Sequence, residues 1–365
     1  MESHARWPFR RPDRRVFGTG PRPVAAGPGR REAEGVRTDV HAHLWSEDYL
    51  RLLESYGRDD TGTQRGLGAG DSPAQLDARF AMNDAAGIDH QILSVSPQTP
   101  YFPDETEAVT ATRLANDHYA ELVRAQPERF SAFAALPLPH LDASLEELAR
   151  ALDQLGMAGA GLTTSVLGRS LGDPLFRPLF EELDHRGSVL SVHPAGRDAG
   201  SPLIARNRMR WMVGAPTEDT ICAMHLILEG VPSRFPRLRI VNAHLGGALP
   251  LLLPRADDHV PWEAPDVIEL PTSAACRMFY DTVAHGHAPA LRAAADSYGA
   301  DRLMLGTDFP YQTGDKLRRA VTFIEETLVP EEAEHVLEAG AGLLPAESPA
   351  RLGGGTGRSV SRSSP

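Results

Sequence analysis

The chain has 365 residues, 41% of them hydrophobic, with 37 Lys+Arg against 49 Asp+Glu and a formal net charge of −12. That length allows one large domain or two modest ones, and the apolar fraction suffices for a packed core, which excludes a wholly disordered chain. The acidic balance argues against nucleic acid as the main partner, and no stretch approaches the ~18 apolar residues of a membrane span.

Residues 1–37 carry nine Arg against four acids, with repeated Pro and Gly and no apolar period. Such a segment cannot bury enough surface to offset its ordering entropy, so it is expected to be a disordered basic tail. Either it touches anions or it is a tail without function; deleting residues 1–35 is expected to leave the melting temperature almost unchanged. No apolar signal-type run follows the N-terminus, and the two cysteines, Cys222 and Cys276, make no disulfide scaffold. Both features fit a reducing cytosol, so a cytoplasmic protein is expected. Residues 346–365, ending GGGTGRSVSRSSP, read as a second low-complexity tail.

Between the tails, over 38–345, short apolar runs rich in β-branched residues alternate with helical patterns. Strands are expected at Thr38–His41, His90–Val95, Phe130–Leu136, Gly159–Leu162, Val189–His193, Leu238–His244, Met278–Val283 and Leu303–Asp308. Apolar residues at three- and four-residue spacing predict helices over Gln75–Ala86, Glu105–Ala125, Leu145–Leu155, Leu175–Arg186, Glu218–Val231, Ala288–Tyr298 and Asp315–Leu328. Asp142 and Ser144 are start signals for the third helix, and Asp173-Pro174 for the fourth. Eight such repeats point to an α/β fold, a (β/α)₈ barrel; a doubly wound sheet with an extra lobe is the alternative.

A barrel builds its active site at the C-terminal ends of the strands. Strand one ends in Asp39-Val40-His41-Ala42-His43, strand five in Ser191-Val192-His193-Pro194, strand six in Asn242-Ala243-His244-Leu245-Gly246-Gly247 and strand eight in Gly306-Thr307-Asp308-Phe309-Pro310. Two residues apart on one strand, His41 and His43 point the same way. Any one of these residues alone reads equally well as a satisfied core group or a cap. Four His and one Asp at one mouth read as a divalent-metal site, zinc foremost and manganese next.

TDVHAH, SVHP, RFPRLRIVNAHLGGALP and RLMLGTDFPY together resemble the amidohydrolase superfamily, in its amidohydrolase-2 branch of aminocarboxymuconate-semialdehyde and aromatic-acid decarboxylases. The resemblance runs from about Thr38 to Leu328. It implies a distorted barrel holding one divalent ion on His41, His43, His193 and Asp308, with His244 as catalytic histidine. Binuclear members of the superfamily bridge their metals with a carboxylated lysine on strand four. Here strand four has none, and Lys316, the only lysine in the chain, follows strand eight. A single metal is therefore expected. The resemblance also implies homodimers. Its C-terminal end departs from the family, with EAGAGLLPAESPARLGG in place of an Asn-Ala ending, which puts the final helix in doubt.

Other residues are weaker candidates for substrate contact. Trp45 follows the H-x-H pair, Arg206, Arg208, Arg210 and Trp211 lie in the long loop after strand five, and His285 follows strand seven in AHGHAP. An Arg in such a loop can grip a carboxylate bidentately, and equally can be a solvated charge. His225 reads as packing, and the two Cys as buried small hydrophobes. His90, His118, His140, His185, His259 and His335 stand in no supporting context.

The family resemblance makes a metal-dependent, non-oxidative decarboxylase of an aromatic or conjugated unsaturated carboxylic acid the leading expectation. A protonation at the ring or alkene carbon, from Asp308 or His244, would precede loss of CO₂. The alternative is a hydrolase of an amide, ester or lactone. A third reading, a catalytically silent barrel, conflicts with the intact ligand set.

Overall fold

The computed structural model describes residues 35–352; of the expected tails over 1–37 and 346–365, residues 1–34 and 353–365 lie outside the described residues. The polypeptide enters through Arg37, which is tied to Asp89 by its backbone N–H and to Glu325 by its guanidinium. Eight parallel strands then follow in sequence order: β1 (Thr38–His43), β2 (His90–Ser94), β3 (Phe130–Ala134), β4 (Gly159–Thr163), β5 (Val189–His193), β6 (Arg239–Asn242), β7 (Phe279–Asp281) and β8 (Leu303–Met304). Backbone hydrogen bonds from Val40 to Leu305, Asp308 to His41 and His43 to Phe309, each 2.8–2.9 Å, join the last strand to the first. That closure settles the choice for the barrel over the doubly wound sheet.

Among the described residues, ten helices of nine residues or more surround the strands: α1 (Glu47–Ser55), α2 (Pro73–Ala86), α3 (Glu105–Ala125), α4 (Leu141–Asp153), α5 (Arg177–His185), α6 (Ala215–Leu228), α7 (Leu249–Glu263), α8 (Ala288–Tyr298), α9 (Asp315–Thr327) and α10 (Pro330–Glu338). Their ends follow local chemistry. Asp104 accepts from Glu107 N at the start of α3, and α2 stops at Gly87, whose φ of 74° lies in the left-handed region that favours glycine. Asp173 caps the 3₁₀ turn that leads into α5, as its start signal suggested. By contrast α4 begins at Leu141, so Asp142 and Ser144 lie inside its first turn and do not precede it.

Three helices escape the periodicity reading. Helix α1 is short, α7 contains Pro254 and Pro261, and α10 leads directly into the stretch where the family ending is missing. The final helix forms nonetheless. Beyond it, Leu343 and Leu344 pack with Val40, Ile92, Val189, Val241 and Met304 inside the barrel, and Ala350 joins the same cluster within a short turn at Pro349–Leu352. The strands are also shorter than their apolar runs, because β6 stops at Asn242 and β8 at Met304. His244 and Asp308 therefore sit on turns beyond the strands, with φ of 52° and 60°. Cys222 is buried, as expected, but Cys276 is only half-buried.

Candidate metal centre

The residues at the strand ends converge. One donor atom each from His41, His43, His193 and Asp308 lies within 4.8 Å of the others, and all four side chains are buried. His41 Nε2 is 3.2 Å from His43 Nε2, and Asp308 Oδ1 is 3.3 Å from both. Donors held about 2.1 Å from a tetrahedral ion sit about 3.4 Å apart, so the spacing fits a divalent metal. The hydrogen bonds of the far ring nitrogens agree. His41 Nδ1 is 2.6 Å from Asp281 Oδ2 and His193 Nδ1 is 2.8 Å from Pro194 O, so each ring presents the lone pair of Nε2 inward. Lone pairs facing one another in a buried space need a shared cation. Three neutral imidazoles and one carboxylate around a divalent ion leave a net charge of +1, which favours an anionic ligand.

Burial dominates the electrostatics here. It pushes the His43 imidazole down to about 4 and His193 well below the usual range, the latter helped by neighbouring imidazoles. His41 is depressed by burial too, but the Asp281 and Asp308 carboxylates outweigh this and hold it well above its ordinary value. Burial raises Asp308, yet hydrogen bonds with His41 and His43 keep its carboxyl well below the carboxylate range.

His244 stands beside this group and not in it. Its ring contacts those of His41 and His193, with centroids 5.2 Å and 5.9 Å apart, and its Nδ1 lies 2.9 Å from Asp219 Oδ2 on α6. Burial pushes Asp219 up to about 6, whereas for His244 the nearby Asp219 charge outweighs burial and raises the imidazole. The two side chains are hydrogen-bonded to each other. The turn that presents His244 is strained, since His244 and Leu245 both occupy the left-handed region. It is held by His244 N donating to Asp281 Oδ1, Ala248 N to Thr220 Oγ1, and the Tyr298 hydroxyl to Leu245 O. Gly247 completes it with φ 66°, where a Cβ would come 2.0 Å from Pro216 O.

Asp281 thus serves both halves of the centre, touching His41 with one oxygen and the backbone of His244 with the other. Asp281→Asn is expected to weaken metal affinity by about 10–100-fold, read by competition with a chelator. Equal affinity in the two proteins would show that His41 does not depend on this carboxylate.

Beneath the centre, Asp39 accepts from His41 N and Thr307 N and pairs with Gln91, which in turn accepts from Arg79. The fully buried Arg79 guanidinium also donates to His43 O and lies 4.4 Å from the Phe309 ring centroid. Charge and stacking thereby fix both flanks of the ligand set.

The weaker candidates fall in different places. Trp45 is buried, stacks on His43 at 5.5 Å and donates to Val95 O. Arg210 is bound by both arms to Asp198, so its fork is already engaged, while Arg206, Arg208 and Trp211 are exposed. His285 is exposed on a turn with φ 50°. His225 is half-buried on Ser170 Oγ. His90 is a satisfied core histidine, bonded to Glu128 O and Ser131 Oγ.

Asp281, Asp219 and Tyr311, whose ring lies 6.0 Å from that of His43, were not among the sequence candidates. Asp281 had a usable signal, since it ends β7 as the other site residues end theirs. Asp219 had none: it sits on a helix whose pattern reads only as packing.

A closed eight-stranded barrel with a buried three-His, one-Asp group at the C-terminal mouth defines a metal-dependent barrel enzyme. The profile of the amidohydrolase family matches residues 38–339. The chain belongs to that family. It is 26% identical over 301 residues to the 2-amino-3-carboxymuconate-6-semialdehyde decarboxylase of Dictyostelium discoideum, covering 77% of this chain and 83% of that protein. To the gamma-resorcylate decarboxylase of a Rhizobium species it is 32% identical over 265 residues, covering 66% and 78%. The crystal structure of a 2,6-dihydroxybenzoate decarboxylase in complex with 2,6-dihydroxybenzoate superposes with a TM-score of 0.70 at 25% identity, over 84% of this chain and 97% of that one. A dihydroxybenzoic acid decarboxylase from Polaromonas sp. JS666, with bound manganese and 2-nitroresorcinol, shares the fold with a TM-score of 0.72 at 24% identity, covering 85% and 96%.

Proposed function

We propose that this protein is a metal-dependent, non-oxidative decarboxylase of an aromatic or conjugated unsaturated carboxylic acid. The observation that carries the reading is the four-donor group with a separate, carboxylate-backed imidazole beside it, in a chain whose relatives are decarboxylases. His41, His43, His193 and Asp308 would hold a divalent ion, which would supply Lewis acidity toward a substrate carboxylate and a neighbouring hydroxyl. We assign zinc, which suits three imidazoles and one carboxylate; manganese, present in the Polaromonas structure, is the alternative that elemental analysis separates.

The chain's own groups carry the proton. In the reaction the carbon bearing the carboxylate gains a proton, its bond to the carboxylate breaks, and the electron pair of that bond returns to the π system as CO₂ departs. His244 holds a proton at the mouth, and Asp219 behind it fixes the ring and stabilises its charged form. Asp308 contacts both imidazoles through Oδ1 and is held as a carboxylate, so it serves as the second acid only after its Oδ2 takes up a proton. Trp45 walls the site beside His43 and excludes water from that side.

A panel of hydroxybenzoates and muconate-type acids, assayed for CO₂ release with lactones and amides in parallel, tests the reading. Turnover of a carboxylic acid with CO₂ release is expected. Turnover of lactones or amides alone would replace decarboxylation by hydrolysis.

We also place a second copy of the chain against apolar side chains exposed on the insertion after β5 and on α7, among them Leu203, Met212, Leu251 and Trp262. Sedimentation should show a dimer that Leu251→Asp/Trp262→Asp dissociates. Among the described residues no helix is long and apolar enough to cross a membrane, and both cysteines are free thiols; we place the protein in the cytoplasm.

A further inference from the structure

Glu218 and Asp219 are consecutive in α6, both are buried, and they serve different parts of the mouth. Asp219 turns to His244. Glu218 turns to the loop after β5. Its Oε2 accepts from Gly196 N at 2.9 Å and Thr164 Oγ1 at 3.2 Å, and its Oε1 from Arg197 N at 2.5 Å and Ala199 N at 3.1 Å. A buried carboxylate needs such partners, and backbone N–H groups held by a charge are bound more firmly than by a neutral acceptor.

The loop these bonds hold is the start of the insertion that follows His193. Two of its residues, Asp198 and Ala199, are strained, with φ of 56° and 49°. The end of the insertion returns to its start. Arg210 grips Asp198 with both arms, and the Trp211 ring lies so close over Gly196 that a Cβ there would come within 2.6 Å of it. From Arg210–Gly214 the backbone runs through one π-helical turn directly into α6. Glu218 therefore closes a ring of contacts: loop start, Glu218, first turns of α6, loop end, loop start.

We propose that Glu218 is a positioning residue that couples the insertion after β5 to the Asp219–His244 pair, so that the seating of the insertion sets the alignment of the proton-transfer imidazole. The inference rests on the reading of His244 as that imidazole. A displacement of the insertion pulls on Glu218, and its covalent neighbour Asp219 moves with it.

The test uses the full-length protein and Glu218→Gln, which keeps the size of the side chain and removes its charge. Tryptic cleavage after Arg206, Arg208 and Arg210, located by mass spectrometry, should become about tenfold faster, the equivalent of one charged hydrogen bond. The low-field NMR resonance of the His244 Nδ1 proton, identified by its loss in His244→Asn, should broaden in the same variant, and kcat should fall together with a rise in KM. Asp219→Asn should alter the resonance and kcat without altering cleavage. If Glu218→Gln does not fold, Thr164→Val, which removes one of its partners, should shift cleavage and resonance in the same direction.

Faster cleavage with an unchanged resonance and unchanged kcat would make Glu218 an anchor of the loop and overturn the coupling. Unchanged cleavage would overturn it as well. A protein that releases CO₂ from no acid refutes the decarboxylase reading, and cleavage and resonance, which need no substrate, still decide the coupling.

Discussion

His244→Asn is expected to keep its metal and to lose about 10²–10⁴-fold in kcat, the range a positioned acid–base group contributes. The imidazole lies outside the four-donor group, so its removal leaves every ligand in place. What it takes away is the protonated imidazole that Asp219 fixes, leaving that carboxylate, raised by burial to about 6, without its partner. Asn retains the backbone N–H that donates to Asp281, so the strained turn keeps its anchor. Asp308→Asn should behave differently, weakening metal binding along with the rate, because Asp308 Oδ1 faces both His41 and His43. Measuring metal content and kcat on both variants separates the two roles. A metal-free His244→Asn protein would move His244 into the ligand set and undo the assignment.

The His41→Ala/His43→Ala double variant should contain no tightly bound metal and no measurable activity, against about one ion per chain in the unaltered protein. Two of the four donors disappear, and the remaining imidazole and carboxylate cannot by themselves complete a site of this kind. Stability provides a second reading. An ion bound only by the folded state stabilises by about 2.7 kcal/mol at a hundredfold excess over its Kd. A chelator should therefore lower the melting temperature of the unaltered protein and leave that of the double variant unmoved. Elemental analysis that finds two tightly bound metals per chain would refute the mononuclear centre.

The barrel and most of the metal group were legible in the residues because both rest on short-range pattern. Strand-forming runs bounded by turn residues recur eight times, and every ligand stands at or just past the end of one of them. In a parallel barrel strand ends share one rim, so position along the chain translates directly into position at the mouth. The H-x-H spacing adds the period of two that aims both rings inward. The absence of a strand-four lysine needs no coordinates at all.

What surrounds the ligands depends on contacts between residues far apart in the chain, and no local pattern encodes them. Asp281 meets His41 across 240 positions, and Thr307 meets Asp39 across 268. Asp219 reaches His244 from the middle of the preceding crossover, where its own neighbours give only a helical period. Arg210, eligible by sequence to grip a substrate, is occupied by Asp198 because the insertion folds back on itself. The residue types of the metal group were thus set by sequence alone. Which groups tune them, which carboxylate backs His244 and which loop is fastened to α6 were decided by the tertiary structure, because buried charges take their partners from whatever the fold brings within hydrogen-bond reach.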